Sequence, residues 1–422
     1  MNRQLQKIYP WLICLVSMLM ILFTVGMVTI AFSTYLPFLR DELHMSNTQT
    51  SMIGTIRALV TTAAMLATTR FYRRFSIRIG MVFAGGMLAV SCILFYLACR
   101  TQVILLCYAA AVCMGFSYAF GSLIAASLLM HNWFEDHQAT AISLASMGSS
   151  VATAVLPPIL TKSIQSAGLG RTFLYEILAV LACCLIVFLV VRDTPQQMGM
   201  HPFKGKTAGR KKTPPASLKT GTSRGSAFLL YMSMLLIGLI GTPYSTHLTV
   251  HFSTIGFEPG LIALALSLVG TVGIAAKLLF GFLSDRYGTY LVNYVYMGSY
   301  VFCGLMMARL SLGQNSLLRT LSALSGIGTM MGSLGSVVWC GNLSTEEEYA
   351  ERIKLCQTIF SLGTLVGAPI PGITADITGD YSLIYEIFGW GIAATTVIIQ
   401  YLYIRYTRPH GRAAASGKHA EV

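Results

Sequence analysis

The sequence predicts an all-α integral membrane protein with twelve transmembrane helices, arranged as two six-helix pseudo-repeats. Three observations support this prediction. Hydrophobic residues make up 55% of the 422 positions and charged residues 11%, whereas soluble domains contain about 25% charged residues. Apolar stretches long enough to cross a bilayer recur along the chain, and one long polar segment, residues 193–225, divides them into two blocks of similar length.

Twelve stretches have the composition of a spanning helix, which needs about 20 mostly apolar residues. Six precede the polar segment and six follow it. The first is too long for a signal-peptide core and no small-residue cleavage site follows it, so we expect it to remain as a helix. The stretches cover approximately residues 11–38, 47–69, 79–99, 102–130, 138–162, 172–191, 227–253, 259–283, 289–310, 317–340, 353–374 and 382–405.

The polar segment 193–225 is expected to be a flexible, water-exposed connector. It contains seven lysines and arginines but one acid, Asp193, and its prolines and glycines disfavour a regular helix or strand. Such a composition buries too little apolar area to fold. We therefore expect a six-helix bundle at 1–192, the connector at 193–225, a second bundle at 226–408 and a cytoplasmic tail at 409–422.

Lysine and arginine are distributed unevenly between the two sides of the predicted bundle. With the N-terminus inside, the cytoplasmic segments contain 21 of them and the external loops 6. This bias predicts that both termini and the connector face the cytoplasm, from a cytoplasmic or inner membrane. Because the net charge of +13 comes from short loops and not from one folded face, we expect the lipid bilayer as a partner, and no nucleic acid.

Residues that could carry enzyme chemistry lack the spacing that it requires. The ten cysteines show no CxxC or other ligand spacing, and most fall in apolar runs, where a thiol is usually a packing residue. We find neither a catalytic serine, cysteine or histidine arrangement nor a glycine loop for phosphate. We therefore predict a protein that is not an enzyme and binds no metal or cofactor.

The two blocks repeat each other in sequence. Residues 175–177 (Tyr-Glu-Ile) open the sixth predicted helix, and 385–387, with the same letters, open the twelfth, 210 positions later. The fifth helix contains Ser-Met-Gly at 146–148 and the eleventh contains Ser-Leu-Gly at 361–363, each followed by two prolines. Parallel six-helix repeats of this kind are typical of secondary transporters.

A short loop after the eighth helix carries a more specific motif. Residues 281–288 read Gly-Phe-Leu-Ser-Asp-Arg-Tyr-Gly and closely resemble the GxLxDRxG loop of the major facilitator superfamily, which implies the major facilitator fold. We predict that this loop controls conformation by holding neighbouring helix ends in one state. The copy after the second helix, 69–76, is degenerate, with Arg73 where the acid should stand. The predicted gating residues of the intact loop are Gly281, Asp285, Arg286 and Gly288.

Two further stretches are similar to one branch of this superfamily. Residues 131–134 (His-Asn-Trp-Phe), together with 139–148, resemble the junction of the fourth and fifth helices in the monocarboxylate porter and oxalate/formate antiporter branch. The end of the first helix, 35–43, is similar to that branch as well. The resemblance implies transport of a small mono- or dicarboxylate by alternating access. Drug antiporters usually carry an arginine where this chain has Ala111 and Val112, which disfavours that function.

Two cations lie within predicted spans, where a charge is expensive and normally functional. Lys277 stands where the branch has its substrate-binding arginine, and Arg57 lies about 15 Å into the second helix. Because no carboxylate occurs at the depth of Arg57, both cations are predicted to bind an anionic substrate. The alternatives are a lysine that reaches the cytoplasmic interface and an arginine that forms a structural ion pair or caps a backbone carbonyl.

Aromatic and histidine side chains provide further substrate-binding candidates. His247 precedes His251 by four residues on the seventh helix, and we expect it to hydrogen-bond substrate or lie at a wet helix end; a metal pair is the alternative. The aromatic residues are predicted to line a cavity, with packing or interface anchoring as the alternative. They are Tyr35, Tyr118, Tyr244 and Trp339.

Glu176 and Glu386 occupy matching positions near the external ends of the sixth and twelfth helices. Their repetition favours a symmetric structural role, and gating or proton handling is the alternative. Proton-linked members of the branch have an aspartate four residues before the helix-eight cation, where this chain has Gly273. The sequence therefore favours anion exchange or facilitated transport over proton symport.

The predicted function is secondary transport of a small carboxylate across the cytoplasmic membrane, with a counter-anion or a proton as the coupled partner. We expect the protein to be a monomer. Two other classes stay open: an exporter of an uncharged or cationic compound, and a sensor that binds a ligand without moving it. The tail at 409–422 is too short and polar to be the output domain that a sensor would need.

Overall fold

A computed structural model describes residues 3–45, 47–204 and 224–407, and the chain is almost entirely helical over these ranges. Within these ranges, eleven helices are long and apolar enough to cross a membrane. A twelfth, Thr289–Met307, is of spanning length but contains Asn293 and four tyrosines. It packs against its neighbours in the same way as the others, so the predicted all-α, twelve-helix architecture is confirmed.

We number the twelve spanning helices α1–α12, and several consist of two or three consecutive segments. They are α1 (Arg3–Ile21, Leu22–Ala31 and Phe32–Glu42), α2 (Asn47–Phe75), α3 (Ile77–Thr101), α4 (Leu105–Gly121 and Leu123–Trp133), α5 (Gln138–Ala167), α6 (Leu169–Val190), α7 (Arg224–Thr246 and Leu248–Ile255), α8 (Pro259–Tyr287), α9 (Thr289–Met307), α10 (Asn315–Met330, Met331–Gly335 and Ser336–Asn342), α11 (Glu346–Gly367 and Ile370–Thr378) and α12 (Ser382–Thr407).

Irregular turns interrupt several of the spans. The segments Leu22–Ala31 of α1 and Met331–Gly335 of α10 are π-helical, and α4 breaks at Ser122, whose backbone is extended. The hydroxyl of Thr24 donates to the carbonyl oxygen of Gly121 at 2.7 Å, which links the irregular turns of α1 and α4. Because π-helical turns occur frequently at functional sites, we expect a functional site close to these segments.

The two sequence repeats make the same close helix contact. A Cβ atom on Gly148 would lie 2.1 Å from the carbonyl oxygen of Met18 in α1, and one on Gly363 would lie 2.5 Å from that of Leu235 in α7. No side chain fits at these distances. Glycine therefore allows α5 to lie against α1 and α11 against α7, and the repeated Ser-x-Gly pattern corresponds to a repeated packing geometry.

The first six helices contact the last six mainly along two pairs, α5 with α8 and α2 with α11. We call the end of the bundle where α6 ends and α7 begins the linker face. Several contacts between the two sets of helices lie near it, including a hydrogen bond from the Thr69 hydroxyl to the Ala350 carbonyl oxygen at 3.3 Å. The linker face is therefore the side on which the two sets are held together.

The first part of the connector is packed against the bundle. Residues Pro195–Met198 form a 3₁₀ turn, the side chain of Met200 is buried, and Phe203 pairs with Phe134 in an isolated parallel bridge. The prediction of a flexible, exposed connector is wrong for residues 193–204. Met200 and Phe203 provide apolar side chains that pack this segment against the bundle. Residues 205–223 and the predicted tail lie outside the described residues.

Asp193, the one acid of the connector, caps the N-terminus of α3. Its Oδ2 accepts a hydrogen bond from the backbone N–H of Ile77 at 2.8 Å, and its Oδ1 accepts one from Arg78 at 2.9 Å. A carboxylate at this position satisfies amides that have no partner within the helix and interacts favourably with the helix dipole. The end of α6 is thereby fixed to the start of α3.

We expect Asp193→Ala to destabilise the protein by about 1 to 2 kcal/mol, the usual range for a lost helix cap. Thermal unfolding of the detergent-solubilised protein would measure this as a lower Tm. Asp41→Ala is a suitable control, because the ion pair that Asp41 forms among the described residues is with its neighbour Arg40, and its side chain is 71% exposed. Equal Tm values for the two variants would show that the cap contributes no stability.

Candidate functional site

A cavity of about 150 Å³ lies between the first six and the last six helices. Its walls come from α1, α2 and α4 on one side and from α7 and α11 on the other. Most of the polar side chains in these walls are hydroxyls. The lining residues are Thr29, Arg57, Ala58, Thr61, Met65, Tyr118, Thr242, Gln357, Phe360, Ser361, Thr364 and Leu365.

Arg57 is the one charged side chain among the described residues that line this cavity. Its Nη1 donates a hydrogen bond to the carbonyl oxygen of Val28 in the π-helical segment of α1, and its guanidinium lies 5.6 Å from the ring centroid of Phe32. No carboxylate among the described side chains forms an ion pair with it. Of the two structural alternatives considered from the sequence, the ion pair is therefore not observed among the described residues, whereas the bond to Val28 is the carbonyl cap. The positive charge adjoins the cavity.

The cavity wall opposite Arg57 is formed by neutral hydrogen-bonding groups on α11. The hydroxyl of Ser361 lies 2.8 Å from that of Thr62 in α2, and the hydroxyl of Thr364 lies 3.3 Å from that of Thr242 in α7. Gln357 completes this wall. Gln357, Ser361 and Thr364 were missed by the sequence reasoning, although their i, i+4, i+7 spacing marks one polar face of an apolar helix.

Lys277 occupies a different place, at the contact between α8 and α5. Its Nζ donates to the carbonyl oxygen of Ser146 at 3.1 Å and to the hydroxyl of Ser149 at 2.8 Å, and the residue is 4% exposed. It does not extend to the interface, which was the alternative considered from the sequence. Lys277 is not among the residues that line the cavity, so the structure does not bring it together with Arg57.

Of the four aromatic candidates, only Tyr118 lines the cavity. Tyr35 is buried, with ring centroids 6.0 Å from Phe95 and 5.2 Å from Phe173. The hydroxyl of Tyr244 lies 2.9 Å from that of Ser325. Trp339 donates its Nε1–H to Asn293 Oδ1 at 3.0 Å. Tyr35, Tyr244 and Trp339 therefore pack within their own sets of helices.

The two histidines of α7 have separate partners. Nδ1 of His247 lies 3.0 Å from the carbonyl oxygen of Pro243, within the same helix. Nε2 of His251 lies 3.0 Å from the carbonyl oxygen of Met307, at the end of α9. Within the described parts of the chain, no group of three metal-ligating side chains is present, and His247 does not line the cavity.

Asp285 holds the N-terminus of α5 at the linker face. Its Oδ2 accepts hydrogen bonds from the backbone N–H of Thr140 at 2.9 Å and from the Thr140 hydroxyl at 2.5 Å, and its Oδ1 accepts one from the N–H of Ala139 at 3.3 Å. His137 Nδ1 lies 3.9 Å from Oδ2. A residue of the second repeat thereby caps a helix of the first.

The remaining motif residues have different roles. A Cβ atom on Gly281 would lie 2.7 Å from the Cα of Thr140, so glycine lets α8 approach α5 closely enough for Asp285 to reach its end. Gly288 ends α8 with φ +87°. Arg286 is exposed, with its guanidinium 5.4 Å from the ring centroid of the adjacent Tyr287. Of these motif residues, Gly281 and Asp285 therefore lie at the contact between α8 and α5, and Arg286 lies outside it.

The degenerate loop also forms a contact at the linker face, with the charges reversed. Arg73 Nη2 lies 3.4 Å from Glu351 Oε1 in α11. Glu351 also pairs with Lys354. Asp285 contacts backbone amides of α5, whereas Arg73 contacts a side-chain carboxylate of α11. Both side chains of this pair are largely exposed, which makes the contact weak.

The repeated glutamates have different environments. The side chain of Glu176 is buried, with the thiol of Cys92 3.7 Å from its Oε2. Glu386 is half-buried, and it forms no ion pair with a described residue. The matching sequence positions therefore do not produce matching sites.

Solved structures of transporters have the same fold. The chain aligns with the Escherichia coli fucose:proton symporter FucP at 13% identity and a TM-score of 0.65, over 93% of this chain and 99% of that one. The proton:xylose symporter XylE aligns at 13% identity and a TM-score of 0.70, over 95% and 96%. The human organic anion transporter MFSD10 aligns at 10% identity and a TM-score of 0.66, over 94% and 100%.

Two relatives have similar sequences. The riboflavin transporter MCH5 of Saccharomyces cerevisiae is 25% identical over 68% of this chain, and the chain spans 58% of its length. Monocarboxylate transporter 12 of Xenopus laevis is 22% identical over 77% of this chain and 74% of its own. Residues 18–334 match the family model described as Major Facilitator Superfamily. The chain is a multi-pass membrane transporter and belongs to the Major Facilitator Superfamily.

Proposed function

We propose that this transporter carries a small carboxylate anion, which binds at Arg57 in the cavity between the two sets of six helices. The observation that carries this proposal is a positive charge at the cavity with no carboxylate partner among the described side chains. A guanidinium can bind a carboxylate through two parallel hydrogen bonds. A substrate carboxylate would supply the negative charge that the cavity lacks.

The rest of the cavity supports a small substrate with few charges. Its other polar groups are hydroxyls and the amide of Gln357, which can hydrogen-bond a hydroxyl or keto oxygen but cannot neutralise a second carboxylate. Lys277 lies at a different contact, bonded to α5. A monocarboxylate therefore fits this conformation better than a dicarboxylate, and the similarity to a monocarboxylate transporter adds support.

The mechanism that we propose is alternating access between two bundles, residues 1–192 and 226–408. The excess of lysine and arginine at the linker face supports a cytoplasmic location for that face and for both termini. To open toward the cytoplasm, the bundles would have to break the contacts of Asp285 with α5 and of Arg73 with Glu351. The connector would accommodate this movement.

An uncharged substrate is the second candidate, and the similarity to a riboflavin transporter supports it. Riboflavin carries no carboxylate, and the hydroxyls of the cavity could bind a neutral polar compound. The two candidates differ in whether they need the guanidinium of Arg57. A substitution that removes its charge separates them.

We expect Arg57→Gln to raise the KM for small carboxylates by about 10- to 100-fold, because it removes charge-assisted hydrogen bonds worth about 1.5 to 3 kcal/mol. Arg57→Lys should have an intermediate KM, since lysine keeps the charge but loses the forked geometry. Uptake of radiolabelled formate, lactate, pyruvate and oxalate into proteoliposomes would measure these values. Lys277→Gln is the comparison: its KM should change less, because Lys277 does not line the cavity.

If wild-type protein takes up none of these anions, or if Arg57→Gln takes them up with an unchanged KM, the carboxylate proposal is wrong. Riboflavin uptake that persists in Arg57→Gln would instead favour the uncharged candidate. A purified, correctly folded variant is required for each comparison, and a Tm equal to that of wild type would establish it.

We further expect Asp285→Ala to shift the protein toward the state in which the linker face is open. The substitution removes the acceptor of three hydrogen bonds from α5. Hydrogen–deuterium exchange of the first turn of α5 should become faster by about tenfold or more, since each lost bond contributes about 1 kcal/mol. Arg286→Ala serves as the control because Arg286 is exposed. Equal protection in both variants would exclude Asp285 from holding this face closed.

A further inference from the structure

Tyr300 of α9 has a buried hydroxyl group that the proposed substrate site does not use. The residue is 0% exposed, and its hydroxyl has no hydrogen-bond partner among the described residues. It lies about 16 Å along α9 from Thr289, at about 1.5 Å per residue, which is near the middle of the span. Because a buried hydroxyl without a partner destabilises a folded protein, packing alone does not explain its presence.

The neighbouring tyrosines have hydrogen-bond partners within the same set of helices. The hydroxyl of Tyr244 lies 2.9 Å from that of Ser325, and the hydroxyl of Tyr385 donates to the carbonyl oxygen of Tyr244 at 3.0 Å. The ring centroids of Tyr300 and Tyr244 are 5.1 Å apart. A phenylalanine would fill the place of Tyr300 in this cluster equally well, because its hydroxyl bonds to no described residue.

Glycines of α7 and α10 adjoin the Tyr300 side chain at both of its ends. A Cβ atom on Gly328 would lie 2.6 Å from the Cβ of Tyr300, so glycine lets α10 lie against the base of this side chain. A Cβ atom on Gly241 would lie 3.9 Å from the Tyr300 hydroxyl oxygen and 3.5 Å from the Cα of Gly332. The hydroxyl therefore lies at a contact between the backbones of α7 and α10.

The same glycine contact adjoins the candidate site. On α7, Gly241 directly precedes Thr242, which lines the cavity. On α10, a Cβ atom on Gly332 would lie 4.0 Å from Cε2 of Phe360 in α11, which is another lining residue. The two glycines thus adjoin both the Tyr300 hydroxyl and residues that line the cavity.

The glycine contact lies at irregular places in both helices. Gly332 belongs to the π-helical segment Met331–Gly335 of α10, and Gly241 stands two residues before Pro243 of α7, whose nitrogen has no proton to donate. Sharp bends in helices occur mainly at prolines and at π-helical turns. Since neither glycine has a side chain that interlocks with the other helix, α7 and α10 can separate here with a small loss of dispersion contacts.

Resting on the function proposed above, we propose that Tyr300 is a second substrate-binding residue, which the substrate reaches when α7 and α10 separate at this glycine contact. Arg57 binds the carboxylate, and the Tyr300 hydroxyl bonds to an uncharged hydroxyl or keto oxygen of the same substrate. A phenol can donate or accept a hydrogen bond and adds no charge to the cavity. Because Arg57 belongs to the first six helices and Tyr300 lies beyond the α7 wall, this oxygen is several atoms away from the carboxylate.

The test compares uptake of radiolabelled butyrate and hexanoate with uptake of 4-hydroxybutyrate and 6-hydroxyhexanoate in proteoliposomes. Tyr300→Phe should raise the KM of at least one hydroxylated compound by about tenfold, the effect of one lost neutral hydrogen bond. The KM of butyrate and of hexanoate should not change, because neither has an oxygen for Tyr300 to bind. Unchanged KM values for both hydroxylated compounds would overturn the inference.

Thermal unfolding separates binding from folding. Tyr300→Phe should have a Tm equal to or above that of wild type, because it removes a buried hydroxyl that bonds to no described residue. Tyr385→Phe is the matched control: it removes the hydroxyl that donates to the Tyr244 carbonyl oxygen, so its Tm should fall while its KM values stay at the wild-type level. A Tm of Tyr300→Phe as low as that of Tyr385→Phe would show an internal partner and contradict the inference.

A third variant tests the route by which the substrate reaches Tyr300. The methyl group of Gly241→Ala would make ordinary contacts with the Tyr300 hydroxyl and with Gly332, so it should cover the hydroxyl without straining the helices. The KM of the hydroxylated compound should rise as in Tyr300→Phe. If Gly241→Ala retains the wild-type KM values, the substrate does not reach Tyr300 through this contact and the inference is wrong.

Failure of this inference can be distinguished from failure of the proposed function. If wild type takes up formate or lactate but no KM responds to Tyr300→Phe, the carboxylate proposal stands and the role of Tyr300 is wrong. If wild type takes up riboflavin and no carboxylate, the carboxylate proposal is wrong. A riboflavin KM that rises about tenfold in Tyr300→Phe would then keep Tyr300 as a binding residue, and an unchanged one would exclude it.

Discussion

A charged group inside this bundle must find its partner on a neighbouring helix, because hydrocarbon provides neither hydrogen bonds nor counter-ions. Arg57 finds the Val28 carbonyl oxygen on α1, and Lys277 finds Ser146 and Ser149 on α5. In both cases the partner is neutral. Each positive charge is therefore stabilised by hydrogen bonds and is not neutralised by a carboxylate among the described residues. The likeness to the solved transporter structures is one of fold.

Contacts between neighbouring helices also hold the two sets of helices together at the linker face. Asp285 uses the unpaired amides at the start of α5, which are among the strongest neutral donors that a helix end offers. The first repeat has Arg73 at the corresponding place, and an arginine cannot cap an amide. It pairs with Glu351 of the acidic first turns of α11 instead. The Arg73–Glu351 contact is therefore weaker than that of Asp285 with α5, and the sign of the charge on the motif residue is reversed.

Much of the fold could be predicted because it is encoded locally. The number of spans follows from the length of the apolar stretches, and the packing repeat follows from glycines at Gly148 and Gly363. The depth of Arg57 in α2 could also be read from helix geometry. What could not be predicted is the identity of distant neighbours. Nothing near Lys277 in sequence indicates that its ammonium group reaches residues of α5, 131 and 128 positions away.

The candidate site illustrates the same limit. Tyr118 and Arg57 line one cavity, whereas Tyr35, Tyr244 and Trp339 are packed away from it. All four aromatic residues look alike in sequence, because an aromatic residue on an apolar helix is compatible with either position. The repeated glutamates fail as a symmetric pair for a similar reason: the thiol that contacts Glu176 belongs to Cys92 of α3, which the sequence repeat does not specify. The prediction that the connector is exposed is wrong up to Lys204 because it rested on average composition. Two side chains, Met200 and Phe203, are enough to pack this segment against the bundle.

The two buried cations differ in what their surroundings depend on. Lys277 is bonded across the α5–α8 contact, in the same two helices that Asp285 joins at the linker face. Opening that face would separate Lys277 from Ser146 and Ser149 and leave its ammonium group without these acceptors. The burial of Lys277 and the closure of the linker face therefore depend on the same pair of helices.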